Sequence, residues 1–146
     1  MENGNKIDLN DAESVRNTLY CSGYSDVAIG YYINKPYMGS LPDADQVTEI
    51  TGPCGDTMRV FLKFDQGIIV DAKYQVFGCP GAVASAMAAV DLIKGKSIDE
   101  AIALKDRDIY RKLVEIPEKK QDCIRLAVKT LQKALEEYTC RDREVA

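Results

Sequence analysis

Cys54, Cys79 and Cys123 lie in settings that suit a reachable thiolate. These are Gly-Pro-Cys-Gly-Asp at 52–56, Phe-Gly-Cys-Pro-Gly at 77–81 and Lys-Lys-Gln-Asp-Cys at 119–123. Glycine, proline and charged residues are poor core neighbours, although an isolated cysteine usually behaves as a small buried hydrophobe. The chain has no histidine. A site built here is therefore a sulfur site, with any oxygen ligand coming from Asp56 or Asp122. Thiolates of this kind bind soft or borderline metals or carry sulfur. The spacing lacks the short cysteine pairs of zinc ribbons and ferredoxins, so spacing alone does not define a metal motif. A cysteine-nucleophile enzyme is the weaker alternative, because the usual activating base is missing. Asp122 can also be read as a carboxylate that complements a helix dipole. Cys21 and Cys140 are read as incidental.

The elements that must position these residues follow from periodicity. Residues 11 to 33 are helical in pattern but broken at Cys21-Ser22-Gly23, and Ser25 is placed to cap a second helix. Residues 34–48 read as a loop. Met58, Val60, Leu62 and Phe64 alternate with polar neighbours, and so do Ile68, Val70, Ala72, Tyr74 and Val76. Asp65-Gln66-Gly67 supplies a turn, which predicts an antiparallel hairpin of 58–64 with 68–77. Val47 to Thr51 is the candidate third strand. From Pro80 the period becomes helical up to Gly95, and Ser97 with Glu100 forms a capping box for a short helix. Another short helix is expected over 106–114, then a break at Pro117. A last helix is expected from about Glu118 to Tyr138. Such a hairpin brings the segment before its first strand next to the segment after its second, so Cys54 and Cys79 should meet. Cys79 precedes Pro80 at a helix N-terminus, where the thiolate is favoured. Cys123 joins them if the last helix packs its first turns against the hairpin's open end.

The chain has 146 residues, enough for one domain with a core of its own. It is 46% hydrophobic and 29% charged, an ordinary globular balance. A net charge of −4 argues against nucleic-acid binding, which needs a positive field. The lysine clusters at Lys119-Lys120 and Lys129–Lys133 are read as solvated helix faces. The longest apolar run, Gly81 to Val90, is half the roughly 20 residues a membrane span needs. The polar N-terminus has no apolar leader, so a cytoplasmic chain with reduced thiols is expected. With five cysteines, an odd number, and no Cys-x-x-Cys pair, a disulfide framework is not expected.

The chain resembles the IscU/NifU N-terminal type of iron–sulfur cluster assembly scaffold, from about Tyr24 to Tyr138. The resemblance is carried by Tyr37-Met-Gly-Ser-Leu41, Gly52-Pro-Cys-Gly-Asp-Thr-Met58, Ile68-Ile-Val-Asp-Ala-Lys73 and Phe77-Gly-Cys-Pro-Gly-Ala-Val-Ala-Ser85. Lys94-Gly-Lys-Ser-Ile-Asp-Glu-Ala101 and Ile116-Pro-Glu-Lys-Lys-Gln-Asp-Cys123 complete it. It implies an α+β fold: a small three-stranded antiparallel sheet packed against several helices, with a long C-terminal helix. By the same resemblance residues 24–140 form the scaffold domain, with 1–23 an extension and 141–146 a tail.

The resemblance also implies a function. Sulfur arrives as a persulfide from a cysteine desulfurase, iron joins it, and a transient [2Fe-2S] cluster forms before transfer to acceptor proteins. Cys54, Cys79 and Cys123 match the ligand cysteines, Asp56 matches the aspartate that keeps the cluster labile, and Cys123 matches the persulfide acceptor. The protein would be a carrier, not an enzyme, and a homo-oligomer is compatible with this. Where most of the family has histidine, this chain has Asp122, so the fourth ligand falls to Asp56, Asp122, Cys21 or Cys140. The family segment read by an Hsp70-type chaperone keeps only Pro117 and Lys120 here, which makes that chaperone the weakest of the implied partners. The alternative is a zinc-bound sulfur relay, with Zn on Cys54, Asp56, Cys79 and Cys123.

Overall fold

The computed structural model describes residues 12–53 and 55–145. Two short helices come first, α1 (Ala12–Cys21) and α2 (Asp26–Asn34). The break between them falls at the expected place. Ser25 caps α2 by accepting the Ala28 amide at 3.1 Å, and its hydroxyl donates to the Leu113 carbonyl. A sheet follows, built of β1 (Gln46–Thr51), β2 (Thr57–Asp65) and β3 (Ile68–Phe77). It is antiparallel throughout, in the order β1-β2-β3. Gln66 and Gly67 have φ of 53° and 78°, the two left-handed residues that a tight hairpin turn with the right twist requires.

The inward face of β2 is Met58, Val60 and Leu62, as the alternation predicts. On β3 the alternation slips. Ala72 pairs with Leu62 and Ile69 with Phe64, which leaves Val70 as an extra residue in a β-bulge. Ile69 therefore turns into the core, while Ile68 and Val70 face out. This corrects the expected inward set on that strand. The inward side of β1 is polar over its first half, where Gln46 and Thr48 donate to Glu137 at 3.1 and 2.7 Å, and Ile50 continues it against the core.

Helices cover one face of the sheet. α3 (Pro80–Ile93) is apolar except for Ser85 and Asp91 and is buried along most of its length. Two short helices, α4 (Ile98–Ile102) and α5 (Asp106–Leu113), lead to a 3-10 turn at Glu118–Lys120. The Ser97/Glu100 capping box of α4 is present. The long α6 (Gln121–Val145) packs on β1, β2 and α3. It starts three residues later than expected, because Glu118–Lys120 is wound more tightly, and runs past Tyr138. Buried Tyr74 ties the layers together by donating to the Ala127 carbonyl at 3.1 Å. The outer edge of β3 is occupied by two loops. Tyr37 and Gly39 exchange backbone bonds with Tyr74, and Lys96 and Gly95 bond to Ile69.

Candidate metal centre

The site forms at the open end of the hairpin. Thr57 and Phe77 are the last pair of the β2–β3 ladder, so Asp56 and Gly78-Cys79 leave the sheet side by side. The β1–β2 turn closes at the same end. The Gly52 amide donates to the Asp56 carbonyl at 2.8 Å, and Gly55 adopts φ +91° within that turn. Cys79 is the N-cap residue of α3, with Pro80 at the first helical position. Cys123 sits in the first turn of α6, only 3% exposed. α3 and α6 pack against one another, and this packing brings Cys123 to the hairpin end.

The result is a compact group. The sulfurs of Cys79 and Cys123 lie 3.4 Å apart, and each thiol points at Asp56 Oδ2, at 3.6 and 3.7 Å. One ligating atom from each of the three residues lies within 4.8 Å of the others. The sulfurs are in contact but unbonded, since a disulfide needs about 2.05 Å. Asp122 stands apart: its carboxylate is paired with Arg125 at 2.5 Å and faces solvent. Cys21 and Cys140 are exposed and lie outside the group. Cys54 lies outside the described residues.

The electrostatics make the two thiols unequal. The Cys123 thiol donates to Cys79 and, with help from the Ala82 amide and the Lys120 charge, pulls the Cys79 thiol down to about 6 against the opposing effect of burial. That same hydrogen bond, together with burial and the negative charges of Cys79 and Asp56, holds the Cys123 proton far above the usual thiol range. The pair thus gives up one proton readily and holds the second.

Four positions around the group escaped the sequence reading. Gly78 is required by contact: a Cβ there would meet Asp56 Cγ at 2.6 Å. Gly81 lies under Lys120 and Tyr24, whose nearest atoms are 3.2 and 3.3 Å from where its Cβ would be. Lys120 is therefore no freely solvated lysine; it packs over the start of α3 and lowers the Cys79 thiol. Tyr24 is buried beside the group, and burial, reinforced by the charges of Cys79, Cys123 and Asp56, raises its hydroxyl to about 12. The available signal was the pair of glycines flanking Cys79-Pro80, which marks close approach on both sides of the cysteine.

Among the described residues no helix is long and apolar enough to cross a membrane. The family model of the NifU-like N terminal domain matches residues 23–145. The iron-sulfur cluster assembly scaffold protein IscU of Escherichia coli strain K12 is 38% identical over 120 residues, covering 79% of this chain and 93% of that protein. The iron-sulfur cluster assembly enzyme IscU of Drosophila melanogaster is 40% identical over 127 residues, covering 83% of this chain and 81% of that protein. A crystal structure from Fervidobacterium islandicum AW-1, described as a putative iron-sulfur cluster assembly scaffold protein for the SUF system, superposes with a TM-score of 0.64. It is 25% identical, covering 77% of this chain and 96% of that one. The chain belongs to the family of NifU-like N-terminal domains.

Proposed function

We propose that this protein is a scaffold on which an iron–sulfur cluster is assembled and from which it is passed on. The observation that carries this reading is the convergence of the Asp56, Cys79 and Cys123 ligand atoms within 4.8 Å at the sheet's open end. Cys54, two residues before Asp56 in sequence, is proposed as the third thiolate. The cluster is cargo: three thiolates suit iron, and the harder carboxylate of Asp56 is the ligand most readily displaced on transfer. Asp122 is engaged by Arg125, which favours Asp56 as the oxygen donor. Cys123 is the proposed sulfur acceptor, with a cysteine desulfurase as donor and apo iron–sulfur proteins as acceptors. The family match begins at residue 23, which supports treating residues 1–23 as an addition to a scaffold domain.

Anaerobic reconstitution with iron, desulfurase and cysteine tests this. Cluster absorbance should form, and should fail in Cys54→Ala, Cys79→Ala and Cys123→Ala. Asp56→Ala should hold its cluster longer, because the labile ligand is gone. If Asp56→Ala abolishes assembly, the carboxylate is a required ligand and the account of lability is wrong. The same three donors are close enough to wrap a single tetrahedral ion, which favours a zinc-bound sulfur relay as the second reading. Stoichiometric zinc that iron does not replace, with persulfide still accepted at Cys123, would establish the relay and overturn the scaffold.

A further inference from the structure

A persulfide carries its outer sulfur in the sulfane state, two electrons short of the sulfide found in a cluster. Something must supply those electrons. The Cys79 sulfur stands 3.4 Å from the Cys123 sulfur, inside the roughly 3–3.5 Å range of a near-attack arrangement. We propose that Cys79 is the internal reductant of a persulfide carried on Cys123. The inference rests on the reading of Cys123 as sulfur acceptor.

The step balances without a further reagent. The Cys79 thiolate attacks the inner sulfur of the Cys123 persulfide, which is Cys123 Sγ itself. A Cys79–Cys123 bond forms and the bond from Cys123 Sγ to the outer sulfur breaks. Hydrosulfide leaves with its own proton and with the electron pair of the broken bond. The sulfane sulfur gains two electrons, and the two cysteines lose two as they become a disulfide. This is thiol–disulfide exchange in which hydrosulfide is the leaving group, and a good one. Attack on the inner sulfur is favoured because that atom's position against Cys79 is set by the packing of α3 on α6. Release of the disulfide for a second round needs an external dithiol, which is oxidised in its turn. A metal ion on Cys79 occupies the attacking lone pair and blocks the step. A loaded site therefore holds its persulfide, and an empty one discharges it as free sulfide.

The test uses the full-length chain, metal-free and anaerobic, carrying Cys21→Ser and Cys140→Ser to remove the two exposed thiols. One equivalent of glutathione persulfide is the donor. Sulfide is measured colorimetrically, and intact mass and peptide maps are followed with time. The expected result is free sulfide, loss of two hydrogens from the chain, and a cross-link mapped to Cys79 and Cys123. Adding Cys79→Ser should abolish sulfide release and leave Cys123 heavier by one sulfur atom. A stable persulfide in the parent chain overturns the proposal. So does a persulfide that migrates to Cys79 without sulfide release, or a disulfide mapped to Cys54. The peptide map of the parent decides this even if the serine variant folds poorly. If the parent chain neither releases sulfide nor carries added sulfur, Cys123 is no acceptor and the proposal falls. Because no iron is present, none of these outcomes prejudges cluster reconstitution, so failure here and failure of the scaffold reading are separable.

Discussion

Gly78→Ala isolates the contact that aims Asp56 at the Cys79 and Cys123 sulfurs. Gly78 has no left-handed backbone requirement, so the alanine is sterically allowed by its own φ and ψ. Its new methyl would stand 2.6 Å from Asp56 Cγ and 2.7 Å from Asp56 Oδ1. Restoring ordinary contact at 3.4 Å requires the carboxylate to retreat by about 0.8 Å. A retreat of that size away from the sulfurs breaks the hydrogen bonds from Cys79 and Cys123, already long at 3.6 and 3.7 Å. Folding stability should change little. Asp56 is only partly buried and can swing toward solvent, and the alanine gains back about 0.4–1 kcal/mol through the unfolded chain. Metal affinity should fall by about 10- to 100-fold, as when a supporting residue stops orienting a ligand. Cobalt titration of the apo chain, followed by competition with zinc, measures this directly. The mechanism makes a stronger demand on the double variant. If the methyl acts only through Asp56, then Asp56→Ala with Gly78→Ala should bind no worse than Asp56→Ala alone. Unchanged affinity in Gly78→Ala would refute the steric argument, and additive losses would show that the methyl acts on something other than Asp56.

Iodoacetamide should alkylate Cys79 of the metal-free chain with a midpoint near pH 6, and Cys123→Ala should move that midpoint up, because the leading cause of the depression is the Cys123 hydrogen bond. The depressed Cys79 contributes stability that is complete above the usual thiol value of 9.0 and is lost as pH falls through about 6. The raised Cys123 contributes in the opposite sense, with stability that is lost as pH rises above 9.0. Chemical denaturation of the apo chain should therefore meet resistance that grows from about pH 6 to a maximum near pH 9 and falls beyond it, and a flat profile across that window would contradict the coupling. Val114 is an exposed β-branched residue at φ 72°, ψ −56°, so Val114→Gly should relieve strain and raise the denaturation free energy by about 1 kcal/mol. Tyr74→Phe should cost about 1 kcal/mol through the lost bond to the Ala127 carbonyl, with metal affinity unaltered.

Locally coded features were legible in the chain. The α1–α2 break, the Ser25 cap, the Asp65–Gly67 turn, the Ser97/Glu100 box and Cys79-Pro80 at a helix start all depend on interactions within a few residues. Amino-acid order alone is enough to specify those. The absence of histidine likewise confined any site here to sulfur and oxygen ligands before any fold was known. Contacts between distant segments decided the rest. The bulge at Val70 put Ile69 inside, because pairing with β2 rather than alternation along β3 sets the register near the turn. Asp56 and Asp122 were both candidate oxygen donors in sequence, each within two residues of a candidate cysteine, and only the family resemblance favoured Asp56. Packing separated them: the hairpin end turns Asp56 onto the two sulfurs, whereas Asp122 lies on the outer side of α6 against Arg125. Cys79 and Cys123 are 44 residues apart, and their contact exists only because α6 lies across α3. A carboxylate or thiol becomes a ligand by where its neighbours are, and for this site those neighbours come from three different elements of the fold.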